Sequence, residues 1–334
     1  MRLLALALGL LSLAGCEHRG VAPAGPKVAF LLSTLQEERY QKDQRYFEAQ
    51  AGRLGLAAFT LAADNDNAKQ LAQVEDALSR GAKVLVVQPT DSAAAAAYVS
   101  KAHEKGAKVV AYDRGIAGDA LDYYVAHDSH EVGVLQAKAA LGATGGKGNY
   151  VLLNGQSGHS VAMEIARGYM DVLGPSVDKG DVKIVVQKDH DSWSPEQALK
   201  TVEDAIAKTG GDIAAILANN SGMARGAVQA VQAGGLAAKK IFIAGADADA
   251  ANVNYVCEGK QSVEVLKDIK PLAEKAAEVA AALALGKPVP GGSAGPGKVP
   301  VAAVAVHLVT AANVKVLLID SGFHAANALP ACAK

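Results

Sequence analysis

The sequence has few aromatic residues, almost no net charge and only three cysteines. Aromatic residues make up 4% of the 334 residues and Trp193 is the single tryptophan, so an aromatic ring beside a candidate site is informative. The formal charge of −1 provides no strongly basic surface for nucleic acid or acidic membranes. Cys257 and Cys332 are distant from each other and have no neighbouring histidines, which disfavours a metal site. We predict neither a metal nor a cofactor.

The only long apolar run, Leu3–Ala14, has about 12 residues, too few for a helix that must span a bilayer with about 20. With Arg2 before it and small residues after it, the run is typical of an export signal. Leu13-Ala14-Gly15-Cys16 resembles a bacterial lipoprotein cleavage box, which predicts a signal segment 1–16, lipidation at Cys16 and a flexible tether 17–26. An ordinary signal peptide with a chance cysteine is the alternative. Export also makes a disulfide between Cys257 and Cys332 a hypothesis.

A glycine-rich phosphate-binding loop is also missing. Residues 32–36, directly after the first predicted strand, contain no glycine, and Gly155-Gln156-Ser157-Gly158 lacks the following Lys-Ser/Thr. This disfavours a nucleotide-dependent enzyme.

From Lys27 onward, short apolar strands alternate with helical patterns. The continuously apolar strand Val84–Val87 is typical of a parallel sheet covered by helices on both faces. The alternation predicts an α/β fold, and its restart after Tyr123–Val125 predicts two doubly wound parallel-sheet lobes. At one helix start, Ser194-Pro195-Glu196-Gln197 combines an N-cap serine with proline at the first helical position.

The last part of the chain predicts a multi-strand hinge, not a third domain. A strand near 263–266, a helix from 271 and a strand at Val301–Val306 suit a chain that crosses between lobes more than once. We therefore expect an N-terminal lobe of 27–126 plus 268–298 and a C-terminal lobe of 127–267 plus 299–334. Ligands of such sheets bind beyond the carboxyl ends of the strands, which here face a cleft between the lobes.

Polar side chains, most of them charged or amide, follow the ends of the predicted strands Val28–Leu32, Val109–Tyr112, Ile213–Leu217, Ile241–Ala244 and Val263–Leu266. They are Arg39, Tyr40, Lys42, Asp113, Arg114, Asn219, Asp247 and Lys267. Sugar hydroxyls both donate and accept hydrogen bonds, so a sugar site needs acidic, amide and basic groups together. The apolar face of a sugar ring packs on aromatic rings, for which Tyr40 and Trp193 are available. Each of these residues also has a structural alternative. Asp113-Arg114 could form a surface turn, Asn219-Asn220 could cap the following helix, and Trp193 could pack within the lobes.

Several scattered segments resemble the sugar-binding type I periplasmic binding proteins of ABC transporters, and among them most the members that bind D-xylose. The segments are Glu38-Arg39-Tyr40-Gln41-Lys42-Asp43, Ala111-Tyr112-Asp113-Arg114, Val132-Gly133, Gln136-Ala137-Lys138, Pro195–Lys200, Ala246-Asp247-Ala248-Asp249 and Asp320–His324. The likeness extends from about Lys27 to the C-terminus.

The resemblance implies a monosaccharide ligand, D-xylose or a similar pentose or hexose, held by hinge closure and passed to a permease. It places Arg39, Asp113, Arg114, Asn219, Asp247 and Lys267 as hydrogen-bonding groups, and Tyr40 and Trp193 as stacking rings. Tyr40 stands where xylose binders have tryptophan. The family carries an Asp-Asn-Asn-Ala run, one Asn of which binds sugar, where this chain has His159-Ser160-Val161-Ala162. His159 is therefore added to the candidate residues, and the sequence does not identify the sugar.

Other classes of function are less well supported. Asp113 and Asp247 imitate the carboxylate pair of a glycosidase, but each has partners that favour its ionised form. A sugar-responsive transcription regulator needs a basic DNA-binding N-terminus, whereas a signal segment occupies that position. A chemosensory receptor of the same fold fits the sequence equally well. We expect a monomer on the periplasmic side of the cell envelope, attached to the membrane only by lipid, with no nucleic-acid partner.

Overall fold

The computed structural model describes residues 25–118, 120–289, 293–294 and 299–332. The predicted signal segment with Cys16 and most of the predicted tether lie outside the described residues. Within the described part of the chain, no helix is both long enough and apolar enough to cross a membrane.

Strands and helices alternate through most of the chain. The strands are β1 (Lys27–Leu32), β2 (Ala57–Ala62), β3 (Val84–Val87), β4 (Lys108–Tyr112), β5 (Tyr123–His127), β6 (Gly148–Asn154), β7 (Val182–Asp189), β8 (Ala215–Ala218), β9 (Phe242–Ala246), β10 (Val263–Lys267), β11 (Ser293–Ala294), β12 (Pro300–Val304) and β13 (Val306–Val309). The helices are α1 (Glu38–Arg53), α2 (Asn67–Ser79), α3 (Ala96–Glu104), α4 (Ser129–Thr144), α5 (Ser160–Asp178), α6 (Pro195–Thr209), α7 (Ser221–Ala233), α8 (Ala250–Cys257) and α9 (Ile269–Ala284).

The strands form two separate sheets, one in each lobe. The first has the order β11-β12-β5-β4-β3-β1-β2 and the second β13-β10-β9-β8-β6-β7. All pairings are parallel except those of the edge strands β11 and β13. The predicted class, two doubly wound parallel-sheet lobes, is confirmed.

Strand β1 shows how the first sheet is buried on both faces. Val28, Phe30 and Leu32 pack with α1 and α9, whereas Ala29 and Leu31 pack with α2 and α3 on the opposite face. Successive strand residues point to opposite faces, so a strand between two helical layers must be apolar throughout. The second lobe has the same layering, with α4 against α5 and α6 against α7.

Within the described ranges, the chain passes between the lobes three times, after β5, after β10 and between β12 and β13. One boundary differs from the predicted division. Residues 300–304 were assigned to the C-terminal lobe, but β12 pairs in parallel with β5 and belongs to the first sheet. The run predicted as one strand, Val301–Val306, is divided at Ala305, because β12 pairs with β5 in the first sheet whereas β13, which begins at Val306, pairs with β10 in the second.

The helix start predicted at Ser194 has the expected cap. The Ser194 hydroxyl accepts a hydrogen bond from the Gln197 backbone N–H at 3.2 Å, and Pro195 occupies the first turn of α6. Because this cap satisfies an N–H that the helix itself leaves unpaired, it fixes where α6 begins, directly after Trp193.

Candidate functional site

Four charged side chains meet between the two lobes. In the first lobe, Arg39 lies in the first turn of α1 and donates from Nη2 to Asp113 Oδ1, directly after β4, at 3.1 Å. In the second lobe, Lys267 at the end of β10 lies 2.6 Å from Asp247 Oδ1, directly after β9. The two pairs are linked across the cleft, since Arg39 Nη1 lies 3.4 Å from Asp247 Oδ1. Strand ends that are far apart in sequence thus supply one polar cluster.

Asp113 is oriented by groups of its own lobe. Its Oδ2 accepts from Gln88 Nε2 at 3.2 Å, and Gln88 is fixed by the backbone N–H and hydroxyl of Ser33. Burial opposes ionisation of this carboxyl, but the Arg39 guanidinium and the nearby His127 ring, whose Nδ1 lies 3.8 Å from Oδ1, hold its pKa well below the usual range. Asp113 is therefore an ionised acceptor.

Three site residues have a left-handed backbone, with φ of 61° at Asp113, 57° at Trp193 and 100° at Asp247. Residues other than glycine rarely adopt this backbone conformation, and among them Asp and Asn tolerate it best. The turn after each strand therefore directs the side chain back into the cleft.

Two aromatic rings complete the site. The Tyr40 hydroxyl accepts from Arg114 Nη2 at 3.1 Å, which places both side chains in one wall. The ring of Trp193 lies directly against Gly155, where an added Cβ would come within 2.4 Å of it. Trp193 Nε1 donates to His159 Nδ1 at 3.0 Å.

These groups surround a cavity of about 20 Å³, which is room for about one water molecule. It is lined by Glu37, Arg39, Tyr40, Asp113, Arg114, Val161, Trp193, Asn220, Asp247 and Lys267. A cavity of about 630 Å³ lies beside the hinge and shares Val161 with it, but lacks the converging ion pairs. We therefore place the candidate site at the small cavity.

Seven of the ten predicted ligand residues line this cavity, and three do not. Asn219 is fully buried, accepts from the Gly155 N–H at 2.8 Å and donates to the Tyr169 hydroxyl at 3.1 Å. Its neighbour Asn220 lines the cavity instead, while also capping α7. Asn219 does not line the cavity, because the end of β8 turns this first asparagine into its own lobe.

The other two residues outside the cavity lie at the lobe interface. Lys42 Nζ is 4.7 Å from the centre of the Phe323 ring. His159 is buried and lies 2.6 Å from the Thr90 carbonyl oxygen.

Sequence reasoning missed Glu37, which has a distinctive environment. Its Oε2 is buried without a hydrogen-bond partner, and burial raises the pKa of the carboxyl despite the nearby Arg114. Glu37 lies between the end of β1 and Arg39, so its position fitted the strand-end rule, but no sequence signal distinguished it from Glu38 beside it. Val161 was also missed as a lining residue, although it occupies one of the asparagine positions of the Asp-Asn-Asn-Ala run.

Cys257 and Cys332 are joined in a disulfide with a Cα–Cα distance of 5.2 Å. The bond ties the C-terminal segment to the end of α8. From that segment, His324 Nε2 lies 2.7 Å from the carbonyl oxygen of Ala248, directly after Asp247.

The fold and site together define a two-lobed binding protein whose ligand lies between hinged α/β halves. Residues 28–288 match the family model described as "Periplasmic binding protein domain". The chain is 38% identical to the D-xylose-binding periplasmic protein of Escherichia coli, in a match that covers 78% of each chain. It is 37% identical to the D-xylose-binding periplasmic protein of Haemophilus influenzae, in a match that covers 77% of each chain. An ABC transporter solute-binding protein from Clostridium phytofermentans, solved with bound β-D-glucose, superposes with a TM-score of 0.83 at 29% identity, covering 91% of this chain and 99% of its own.

This chain therefore belongs to the periplasmic binding protein family. The resemblance predicted from the scattered motifs is confirmed, including its likeness to the xylose-binding members. These relatives are substrate-binding proteins and not enzymes.

Proposed function

We propose that this protein captures a monosaccharide between its lobes and delivers it to the permease of an ABC-type uptake system. The observation that carries the proposal is the meeting of Arg39 and Asp113 from one lobe with Asp247 and Lys267 from the other. Each pair offers both donors and acceptors, which matches the two-way hydrogen bonding of a sugar hydroxyl.

A neutral ligand fits the charges of the cavity wall. Glu37, Asp113 and Asp247 balance Arg39, Arg114 and Lys267, so the lining has no excess of either sign. An ionic ligand would leave one of these buried charges without a partner, which is costly. D-xylose or a similar pentose or hexose is the ligand class that we propose.

Binding requires the lobes to separate first, because small-molecule sites typically enclose several hundred Å³ and this cavity has about 20 Å³. The sugar then replaces the direct Arg39–Asp247 contact with bonds through its hydroxyls. Closure is favoured by those contacts, which the open form lacks. A micromolar affinity, about −8 kcal/mol, suits capture followed by release.

Binding without chemical change is the mode that the electrostatics support. Asp113 and Asp247 are both bound to cationic side chains, and a carboxyl that must donate a proton needs the opposite environment. We therefore propose a binding protein and not a glycosidase.

The test is calorimetry of the purified protein with pentoses, hexoses and cyclitols, with the fluorescence of Trp193 followed in parallel. We expect one or a few sugars to bind and to change the fluorescence. Asp247→Asn keeps a residue that tolerates the left-handed backbone but removes the charge, and should weaken binding by about 2 kcal/mol, roughly 30-fold.

Asp66→Asn is a matched control, because Asp66 caps α2 far from the cavity and asparagine caps equally well. It should leave affinity unchanged. The absence of binding by every sugar would contradict the proposal, and equal affinity of the wild type and Asp247→Asn would move the site elsewhere.

We further propose that the protein acts as a monomer on the periplasmic side of the cell envelope, held there by lipid on Cys16. The lipoprotein-like sequence before Cys16 supports the anchor, and the relatives named above are periplasmic. Cys16→Ser should release the protein from the membrane fraction; retention there would contradict the anchor.

A further inference from the structure

The beginning of α5 makes two hydrogen bonds from the second lobe to the first. His159, the N-cap residue, lies with Nε2 2.6 Å from the carbonyl oxygen of Thr90, in the loop after β3. The next residue, Ser160, accepts from the backbone N–H of Gly115, after β4, at 2.7 Å. Both bonds exist only while the lobes are together.

The protons of the His159 bonds have a single arrangement. The indole Nε1–H of Trp193 can only donate, so Nδ1 of His159 must be the acceptor. A carbonyl oxygen can only accept, so Nε2 must carry the hydrogen that bonds to Thr90. His159 is therefore neutral and is fixed as its Nε2–H tautomer. It is 2% exposed and does not line the cavity, whereas Trp193 does.

We propose that His159 is a positioning residue that holds the Trp193 ring against the sugar only when the lobes are closed. In the open protein Thr90 is withdrawn, so His159 is held only by its bond to Trp193 within the second lobe, and the ring is no longer fixed from the first lobe. Thr90, His159 and Trp193 thus form a closure latch that couples ring placement to lobe closure. This inference rests on the proposed sugar-binding function.

The latch makes closure depend on pH. Protonation of His159 places a hydrogen on Nδ1, directly opposite the indole N–H, so that two donors face each other. The charged groups that act on His159 are Arg114, Asp91 and Asp113, all of the first lobe. Burial and Arg114 lower the pKa of His159 from 6.5 to about 4 in the closed form.

The direction in which sugar affinity changes with pH follows from that lowered pKa. A group whose pKa is lower in the closed form than in the open form favours closure above the open-form value and opposes it as the pH falls. If open His159 has its ordinary pKa of about 6.5, sugar binding should release about 0.9 proton at pH 5.5. The affinity at pH 5 should be about 30-fold weaker than at pH 7.5 for the same reason.

The experiment is sugar calorimetry from pH 7.5 to pH 5 in buffers of different ionisation enthalpy, which counts the protons released. Glu37 and His127 also have shifted pKa values, so the quantity compared is the difference between wild type and His159→Phe. This variant keeps a ring but has no ring nitrogen. Its sugar binding should therefore no longer release the proton that we assign to His159, and its affinity at pH 7.5 should fall at least tenfold.

Ser160→Ala is the matched control, because it removes the neighbouring cross-lobe bond and leaves the Trp193 bond in place. It should weaken binding modestly and release the same number of protons as the wild type. Equal proton counts and affinities in wild type and His159→Phe would overturn the latch while leaving sugar binding intact. No binding by the wild type would instead overturn the proposed function.

A second measurement needs no variant. Trp193 is the only tryptophan, so its indole N–H gives one signal in a proton–nitrogen spectrum. That signal should shift when sugar is added, and in the saturated protein should stay constant from pH 7.5 to pH 5. An indole signal that ignored sugar would contradict the latch even if His159→Phe failed to fold.

Discussion

At the scale of single residues, the site uses backbone conformations that are costly elsewhere. Left-handed φ values at Asp113, Trp193 and Asp247 each cost on the order of 1–3 kcal/mol, and persist only when the surroundings enforce them. At Asp247 the enforcement is visible, because the next residue, Ala248, donates its N–H to buried Glu264 at 3.1 Å and its carbonyl oxygen lies 2.7 Å from His324 Nε2. The carboxylate is thus oriented before the sugar arrives, which lowers the ordering cost of binding.

Glu37 is the residue whose replacement we expect to be most informative about the ligand. Its buried Oε2 has no partner, and buried polar atoms of this kind are rare, so we expect it to accept a sugar hydroxyl. Its side chain caps no N–H of α1, so Glu37→Ala should fold normally. Calorimetry should show binding weaker by about 1.5–3 kcal/mol, the range for a hydrogen bond to a charged group.

Glu48→Ala is the control, since Glu48 lies on the exposed side of the same helix and bonds Gln44 and Thr60. Unchanged affinity in Glu37→Ala would mean that Oε2 stays unpaired with the sugar bound.

The residue types of the site were predictable from the sequence, but their final directions were not. Arg39, Asp113, Asp247 and Lys267 follow strand ends of parallel sheets, and that position alone directs them to the cleft. Whether Asn219 or Asn220 faces the ligand depends on how the chain leaves β8, a difference of one residue that no pattern specifies. Lys42 lies one helical turn beyond Arg39 on the same face of α1, and there it contacts Phe323 of the other lobe instead of lining the cavity.

At the scale of elements, the C-terminal segment supports the site from behind. Val309, Val314, Leu318 and Leu329 form a small core with Val253 of α8, and the Cys257–Cys332 disulfide closes it. Because the same segment carries His324, the turn that holds Asp247 depends on a part of the chain about 75 residues away.

Reduction of the disulfide should therefore affect both stability and binding. A cross-link that closes a loop of 75 residues stabilises by about 2–4 kcal/mol, mainly by restricting the unfolded chain. Denaturant unfolding with and without reductant should show a loss of this size, with weaker sugar binding as the tail loosens. The double variant Cys257→Ser/Cys332→Ser should match the reduced protein and be insensitive to reductant. Equal stability of the oxidised and reduced forms would contradict a structural role.

The order of elements was largely predictable, because apolar strands and helical patterns alternate in the sequence. The membership of β12 in the first lobe was not, because Val301–Val306 is one apolar run, and only the pairing of β12 with β5 and of β13 with β10 divides it at Ala305. Helix α8 was also missed: with only the eight residues Ala250–Cys257, it is too short for a helical period to be distinct.

At the scale of the whole molecule, three groups of contacts between the lobes bear on closure. The ion pairs at the cavity lie in the centre, the closure latch lies at the start of α5, and Lys42 meets the Phe323 ring at the rim. In the proposed binding mode, only the first of these is replaced by sugar. The His159–Thr90 bond and the Lys42–Phe323 contact join the lobes outside the cavity lining, so we expect them to set how much closure costs before any sugar is bound.

The rim contact should therefore change the affinity without changing which sugar is bound. A cation–π contact contributes about 0.5–1 kcal/mol at a partly exposed site, so Phe323→Ala should weaken every sugar by about the same two- to fivefold factor. Lys42→Ala should do the same, and the double variant should cost less than the sum of the two. Calorimetry of all three variants measures the coupling.

Lys260→Ala is the matched control, because Lys260 covers the Tyr255 ring within one lobe, and this variant should leave the affinity unchanged. A changed sugar preference in Phe323→Ala, or additive losses in the double variant, would show that Lys42 and Phe323 do not act together in closure.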